Sequence, residues 1–171
     1  CALLRHVNAG LTDWKGAFEA IRVCGFTNLD LDVRPEWVEG DLRAHAETIK
    51  AWLAETGLTA SQSHAPGINF RKVGLEKATE IYSDALRYCK IVGTPMTVVH
   101  PGADDGDDRE TFFRGNIELY RSLIPAAEET GVKVLIENIG NYADPYYLWN
   151  GKDLREMVDA VDHPLFGACW D

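Results

Sequence analysis

Four side chains able to ligate a metal or carry a proton recur at a near-constant interval along this chain. His64, His100, Glu137 and Asp171 are spaced by 36, 37 and 34 residues, and each lies at the end of a short apolar run: LTASQSHAP, PMTVVHPG, VKVLIENIG and PLFGACWD. Imidazoles and carboxylates are common general acids and bases and common ligands of divalent cations. The spacing leaves both chemistries open, but it demands a scaffold that gathers residues far apart in sequence. Asp30 and Asp32, closing FTNLDLDV, share one face of a regular strand and read equally as turn caps or substrate contacts. His6, His45 and His163 have no such placement and read as surface residues.

The elements that must position these groups repeat with the same period. A helix-period segment precedes each apolar run. Asp13 can cap WKGAFEAIRVCG, which aligns Trp14, Ala17, Phe18 and Ile21; Asp41 can cap DLRAHAETIKAWLAETG, which aligns Leu42, Ala46, Ile49 and Leu53. GLEKATEIYSDALRYCKIVG, RETFFRGNIELYRSLIPAAEETG and a segment from about Lys152 through LREMVDAV complete the series, with Pro125 marking a bend or a first turn. Strands separated by helices are parallel neighbours, and runs such as TVV and VKVLI, apolar without alternation, predict burial on both faces. This is an α/β chain. A (β/α)8 TIM barrel gathers successive strand ends around one axis, whereas an open sheet concentrates its ligand at one switch point, so the barrel is expected. The usual nucleotide-binding motifs, G-x-G-x-x-G and G-x-x-x-x-G-K-[ST], are absent. Five to six βα units are visible, with a ragged first strand in CALLRHVN.

Composition narrows the function. At 171 residues, 46% hydrophobic and 26% charged, the chain reads as a single domain over residues 1–171. A net charge of -10 argues against a sequence-independent grip on nucleic acid, which needs clustered Lys and Arg. ADDGDDRE reads as a solvated loop that caps the next helix rather than as a calcium loop. No apolar run reaches the roughly 20 residues of a membrane span and no signal sequence is evident, so a cytoplasmic location is the default expectation. The four cysteines form no C-x-x-C pair and read as buried reduced thiols. Trp37 and Phe70 follow strand ends and read equally as walls of a sugar pocket or as small packing anchors; NYADPYYLWNG, with Tyr142, is a candidate substrate-covering loop or a packing segment.

GFTNLDLDV, GLTASQSHAP, TVVHPG, NIELYRSLIPAAEETGVKVLIENIG and GACWD together resemble the xylose isomerase-like TIM barrels, which include sugar phosphate isomerases and epimerases and endonuclease IV-type abasic-site nucleases. The resemblance implies that Glu137 and Asp171 are ligands of one divalent metal, with Glu137 also one of two proton-transfer carboxylates. His64 and His100 match the family's histidines at the third and fourth strand ends, as ligands, substrate contacts or supporting groups. Carboxylate and imidazole suit Mn²⁺, Mg²⁺, Co²⁺ or Zn²⁺. The implied reaction abstracts a proton next to a carbonyl of a small sugar or polyol through a metal-stabilised ene-diolate. Abasic-site phosphodiester hydrolysis with zinc is the alternative, and a non-catalytic barrel fragment the third reading. Family members continue after the Asp with Thr-Gly-His and supply a further His and Glu. The expectation is therefore a partial barrel cut at both ends, inactive alone and, through unpaired edge strands, prone to association with further copies.

Overall fold

A computed structural model describes residues 2–3, 13–139 and 147–171. Among these residues the sheet has six strands: β1 (Ala2–Leu3), β2 (Asn28–Asp32), β3 (Thr59–His64), β4 (Met96–Val99), β5 (Lys133–Glu137) and β6 (Phe166–Cys169). They lie side by side in sequence order and every pairing is parallel. A doubly wound sheet would reverse its order at a switch point. No reversal occurs, so the sheet has the strand order of a barrel wall.

The helices cover one side of this wall. They are α1 (Trp14–Val23), α2 (Pro35–Glu39), α3 (Leu42–Thr56), α4 (Phe70–Val73), α5 (Leu75–Val92), α6 (Arg109–Ser122), α7 (Ile124–Thr130) and α8 (Gly151–Val161). Asp13 and Asp41 cap α1 and α3 through their side chains, and Asp108 of the acidic loop caps α6 by accepting from Thr111 N–H. Pro125 sits in the first turn of α7, where it interrupts no helical bond, and so divides the long fourth helical segment in two. The expected stripes are buried: Ala17, Phe18 and Ile21 on α1, and Ala46, Ile49 and Leu53 on α3.

Two short helices occupy stretches that the sequence reading leaves as loops, and they decide the aromatic assignments. Trp37 lies on α2, only 5% exposed, edge-on to Trp14 with centroids 4.9 Å apart and stacked on Tyr88 at 5.9 Å. It is a packing anchor between α1 and α5, not a pocket wall. Phe70 opens α4 and is likewise buried. His45 belongs to that aromatic cluster, 3.0 Å from the Tyr88 hydroxyl, and the His163 side chain is only 15% exposed; neither is the surface residue expected. Of the cysteines, Cys89 is buried but Cys24 is exposed, so the buried-thiol reading fails there. Tyr142 lies outside the described residues.

Strand register sorts the sheet into two chemically different faces. Paired residues of parallel strands share a face and alternate residues return to it. Leu29, Leu31, Thr97, Val99, Val134 and Ile136 form one set, each at most 1% exposed, and face the helices. The other set runs Asp30, Asp32, Gln62, His64, Val98, Leu135, Glu137 and Cys169. Nearly every chemically capable side chain in the strands therefore falls on the inner face. The pairing of β2 with β3 shifts once: Leu29 pairs with Ala60, but Asp30 pairs with Gln62. Ser61 is the extra residue of this bulge.

Candidate metal centre

His64 is the last residue of β3, His100 follows the last residue of β4, and Glu137 is the last residue of β5. Adjacent strands in near register bring these ends together, although the residues are far apart in sequence. His64 Nε2 lies 3.8 Å from Glu137 Oε1, and His100 Nε2 lies 2.7 Å from Glu137 Oε2. The two imidazoles meet edge to face, centroids 5.5 Å apart at 73°. One ligand atom from each residue falls within 4.8 Å of the others.

Two observations test whether a divalent cation fits this group. His100 Nε2 is buried and has no partner in hydrogen-bonding geometry, despite its short distance to the Glu137 carboxylate. Two imidazoles and one carboxylate are also the donor set of known catalytic zinc sites that keep a further position open. The residues fit. Burial alone would raise the Glu137 pKa, but His100 and His64 outweigh it and hold the carboxyl down at about 2. Burial likewise opposes a cationic His64, yet its hydrogen bonds to the Asp30 and Glu137 carboxylates, and their charges, raise its pKa to about 9.

The surroundings assign further residues. Asp30 is 7% exposed, and its two carboxylate oxygens accept from His64 Nδ1 at 2.9 Å and Gln62 Nε2 at 2.7 Å. Sequence reading leaves Asp30 undecided and passes over Gln62, because their contact depends on the Ser61 bulge. Asp171 lies two residues past β6, on the same strand phase as Cys169 and hence as Glu137. It is exposed, and its carboxylate is not in the cluster with His64, His100 and Glu137. Its backbone is held by Asn138, whose Nδ2 donates to Asp171 O at 2.9 Å and whose Oδ1 accepts from Asp171 N–H at 2.8 Å. This side-chain amide continues the β5–β6 ladder for one step. A cleft of ≈ 330 Å³ opens beside the histidines, lined by Asp32, Arg34, Glu36, Gly67, His64 and His100 among others.

The sequence profile of the xylose isomerase-like TIM barrel matches residues 16–171. The chain belongs to that family. A relative named "Probable endonuclease 4" from Geotalea daltonii is 29% identical over 161 residues, which make up 86% of this chain and 54% of the relative. The chain thus spans about half the length of the curated relatives it matches. Among solved structures, an AP endonuclease, family 2, from Brucella melitensis aligns with a TM-score of 0.76 at 20% identity, over 98% of this chain and 66% of that one. A D-tagatose 3-epimerase-like protein aligns with a TM-score of 0.79 at 17% identity, over 99% and 63%. These structural likenesses are of fold. Within the xylose isomerase-like family, relatives named as endonucleases stand against the expectation of no nucleic-acid partner, while structures titled as epimerases accord with a small-molecule substrate.

Proposed function

We propose that this chain carries part of the active centre of a divalent-metal-dependent isomerase or epimerase acting on a small sugar or polyol. The observation that carries this reading is the cleft beside the His64–His100–Glu137 cluster. At ≈ 330 Å³ it has the scale of one monosaccharide, and its lining sets two carboxylates, Asp32 and Glu36, beside Arg34 and the imidazoles of His64 and His100. Such a wall suits hydroxyl groups, which donate to carboxylates, better than a run of phosphates. The chain's net charge of -10 points the same way.

His64, His100 and Glu137 would hold the ion, with Asp171 a further ligand proposed from the family resemblance. When bound, a divalent ion supplies Lewis-acid polarisation of an adjacent carbonyl oxygen. The protein's own groups do the rest. Glu137 is ionised at neutral pH and has two oxygens, so Oε1, 3.8 Å from His64, can accept a proton from the carbon next to the carbonyl while Oε2 remains with His100. The proton then returns to the neighbouring carbon, giving isomerisation, or to the opposite face, giving epimerisation from a second carboxylate. Asp32, Glu36 and Arg34 would fix the hydroxyls and the orientation of the sugar.

A second reading, zinc-dependent cleavage at abasic sites, is favoured by the curated relatives named "Probable endonuclease 4" and by the nitrogen-rich ligand set. One experiment separates the two. The Mn²⁺-loaded chain is titrated with D-fructose, D-tagatose and an inositol while water-proton relaxation is followed, and in parallel with a duplex containing an abasic site. The sugar reading expects a saturable ketose or polyol response that Glu137→Gln abolishes. Salt-sensitive retention of the duplex, with two or more zinc ions per chain, would overturn it.

A further inference from the structure

His64 can reach a shared ion only through Nε2, because its other nitrogen is engaged. Asp30 Oδ1 lies 2.9 Å from His64 Nδ1, and a carboxylate oxygen can only accept. Nδ1 therefore carries the proton, and the Nε2 lone pair of the neutral ring is turned toward Glu137. Asp30 is itself fixed. Its second oxygen accepts from Gln62 Nε2 at 2.7 Å, and its side chain is only 11% exposed. A buried carboxylate with both oxygens satisfied by specific donors is a rigid prop rather than a mobile surface acid.

The backbone is arranged to make this contact. Were Ser61 paired instead of bulged, the β2–β3 ladder would continue from Leu29↔Ala60 to place Asp30 opposite Ser61, leaving Gln62 and His64 on the opposite face. The bulge advances β3 by one residue, so Gln62 lies beside Asp30 and His64 beside Asp32. It therefore brings His64 to the inner face and sets beside it the carboxylate that orients it.

We propose that Asp30, braced by Gln62 and brought into phase by the Ser61 bulge, is a positioning residue that fixes the Nδ1–H form of His64 and presents Nε2 to the space shared with His100 and Glu137. This rests on the metal reading above. Outer carboxylates of this kind govern both the tautomer and the basicity of a ligating histidine, and their loss weakens metal binding by about 10–100-fold.

The test combines ¹⁵N-histidine NMR with Zn²⁺ affinity measured by competition against a chromophoric chelator. Spectra are recorded on the Zn²⁺-loaded chain and on the metal-free chain in alkaline buffer, where the ring is neutral. The wild type is expected to show His64 protonated at Nδ1 in both. Asp30→Ala should populate the Nε2–H form and weaken Zn²⁺ binding about 10–100-fold. Asp30→Asn keeps an acceptor oxygen and should restore the tautomer and most of the affinity. Gln62→Ala, which leaves the carboxylate in place, should fall between the two, and it serves if Asp30→Ala does not fold. A wild-type His64 carrying its proton at Nε2, or Asp30→Ala with unchanged tautomer and affinity, would sink the proposal. A wild type that fails to bind Zn²⁺ but shows the Nδ1–H form would instead refute the metal reading and leave the orientation by Asp30 intact.

Discussion

At the scale of single residues, the centre depends on charges that would be costly to bury apart. Glu137 is the one acid in the cluster, and both histidines approach its carboxylate. Glu137→Gln, which keeps the shape and removes the charge, is expected to weaken Zn²⁺ or Mn²⁺ binding by at least on the order of 100-fold, beyond the loss of an outer partner; isothermal titration calorimetry checks this. The metal-free chain should also have a characteristic pH profile. His64 rises from its ordinary 6.5 to about 9, so its contribution is complete below 6.5 and is lost as pH rises through about 9. Glu137 falls from 4.5 to about 2, so its contribution is present above 4.5 and is lost as pH falls through about 2. The urea midpoint should therefore be highest between these limits as far as this cluster governs it. His64→Ala should flatten the alkaline limb, and an unchanged limb in that variant would assign it to other groups. His64, His100 and Glu137 were legible in the sequence because a polar residue ending an apolar run has few structural uses. For Trp37 the sequence leaves pocket wall and packing anchor open, because a five-residue helix gives too short a periodic signal to separate a buried aromatic from a loop one.

At the scale of elements, two local backbone features decide how the candidate ligands are held. The Ser61 bulge sets the phase of β3 against β2. Deleting Ser61 should rejoin a regular ladder that still sets Gln62 opposite Asp30 and His64 opposite Asp32, so Zn²⁺ binding is expected to survive within about tenfold of wild type, while circular dichroism reports whether the sheet survives. Loss of Zn²⁺ binding in the deletion variant with the sheet intact would show that this register does not set the site. Gly102, two residues after His100, is the second feature. A Cβ there would lie 2.5 Å from the Phe70 ring and 2.6 Å from Asn69 Oδ1, and the glycine's N–H and C=O both bond the Asn116 side chain. The loop after β4 is thus clamped between α4 and α6. Gly102→Ala is expected to cost about 1–3 kcal/mol through overpacking, read from the denaturant midpoint. HPG was visible as a motif, but the partners that require its glycine lie on helices about 14 and 32 residues away and could not be read beside it.

At the scale of the whole molecule, the ion and the fold should be coupled. The three candidate ligands, at the ends of three adjacent strands, are brought together only in the folded chain, so an ion bound by them would stabilise the native state by mass action. Zn²⁺ at a hundredfold excess over its dissociation constant should raise the unfolding free energy by about 2.7 kcal/mol, a chelator should reverse the gain, and Glu137→Gln should show none of it. Equal melting with and without metal in the wild type would argue against a site at these strand ends. Among the described residues no helix is long and apolar enough to cross a membrane. The sequence by itself determined the alternation of strand and helix, the parallel sheet, the barrel reading and the beat of polar residues at strand ends. These follow from local periodicity and from the cost of placing a polar residue at the end of an apolar run. Only the tertiary structure decided that Asp30 and Gln62 support His64, that Asn138 holds the backbone of Asp171, and that Trp37 belongs to the packing between helices. Each of those depends on register or on contact between distant elements, and neither is encoded in the spacing of residues along one strand.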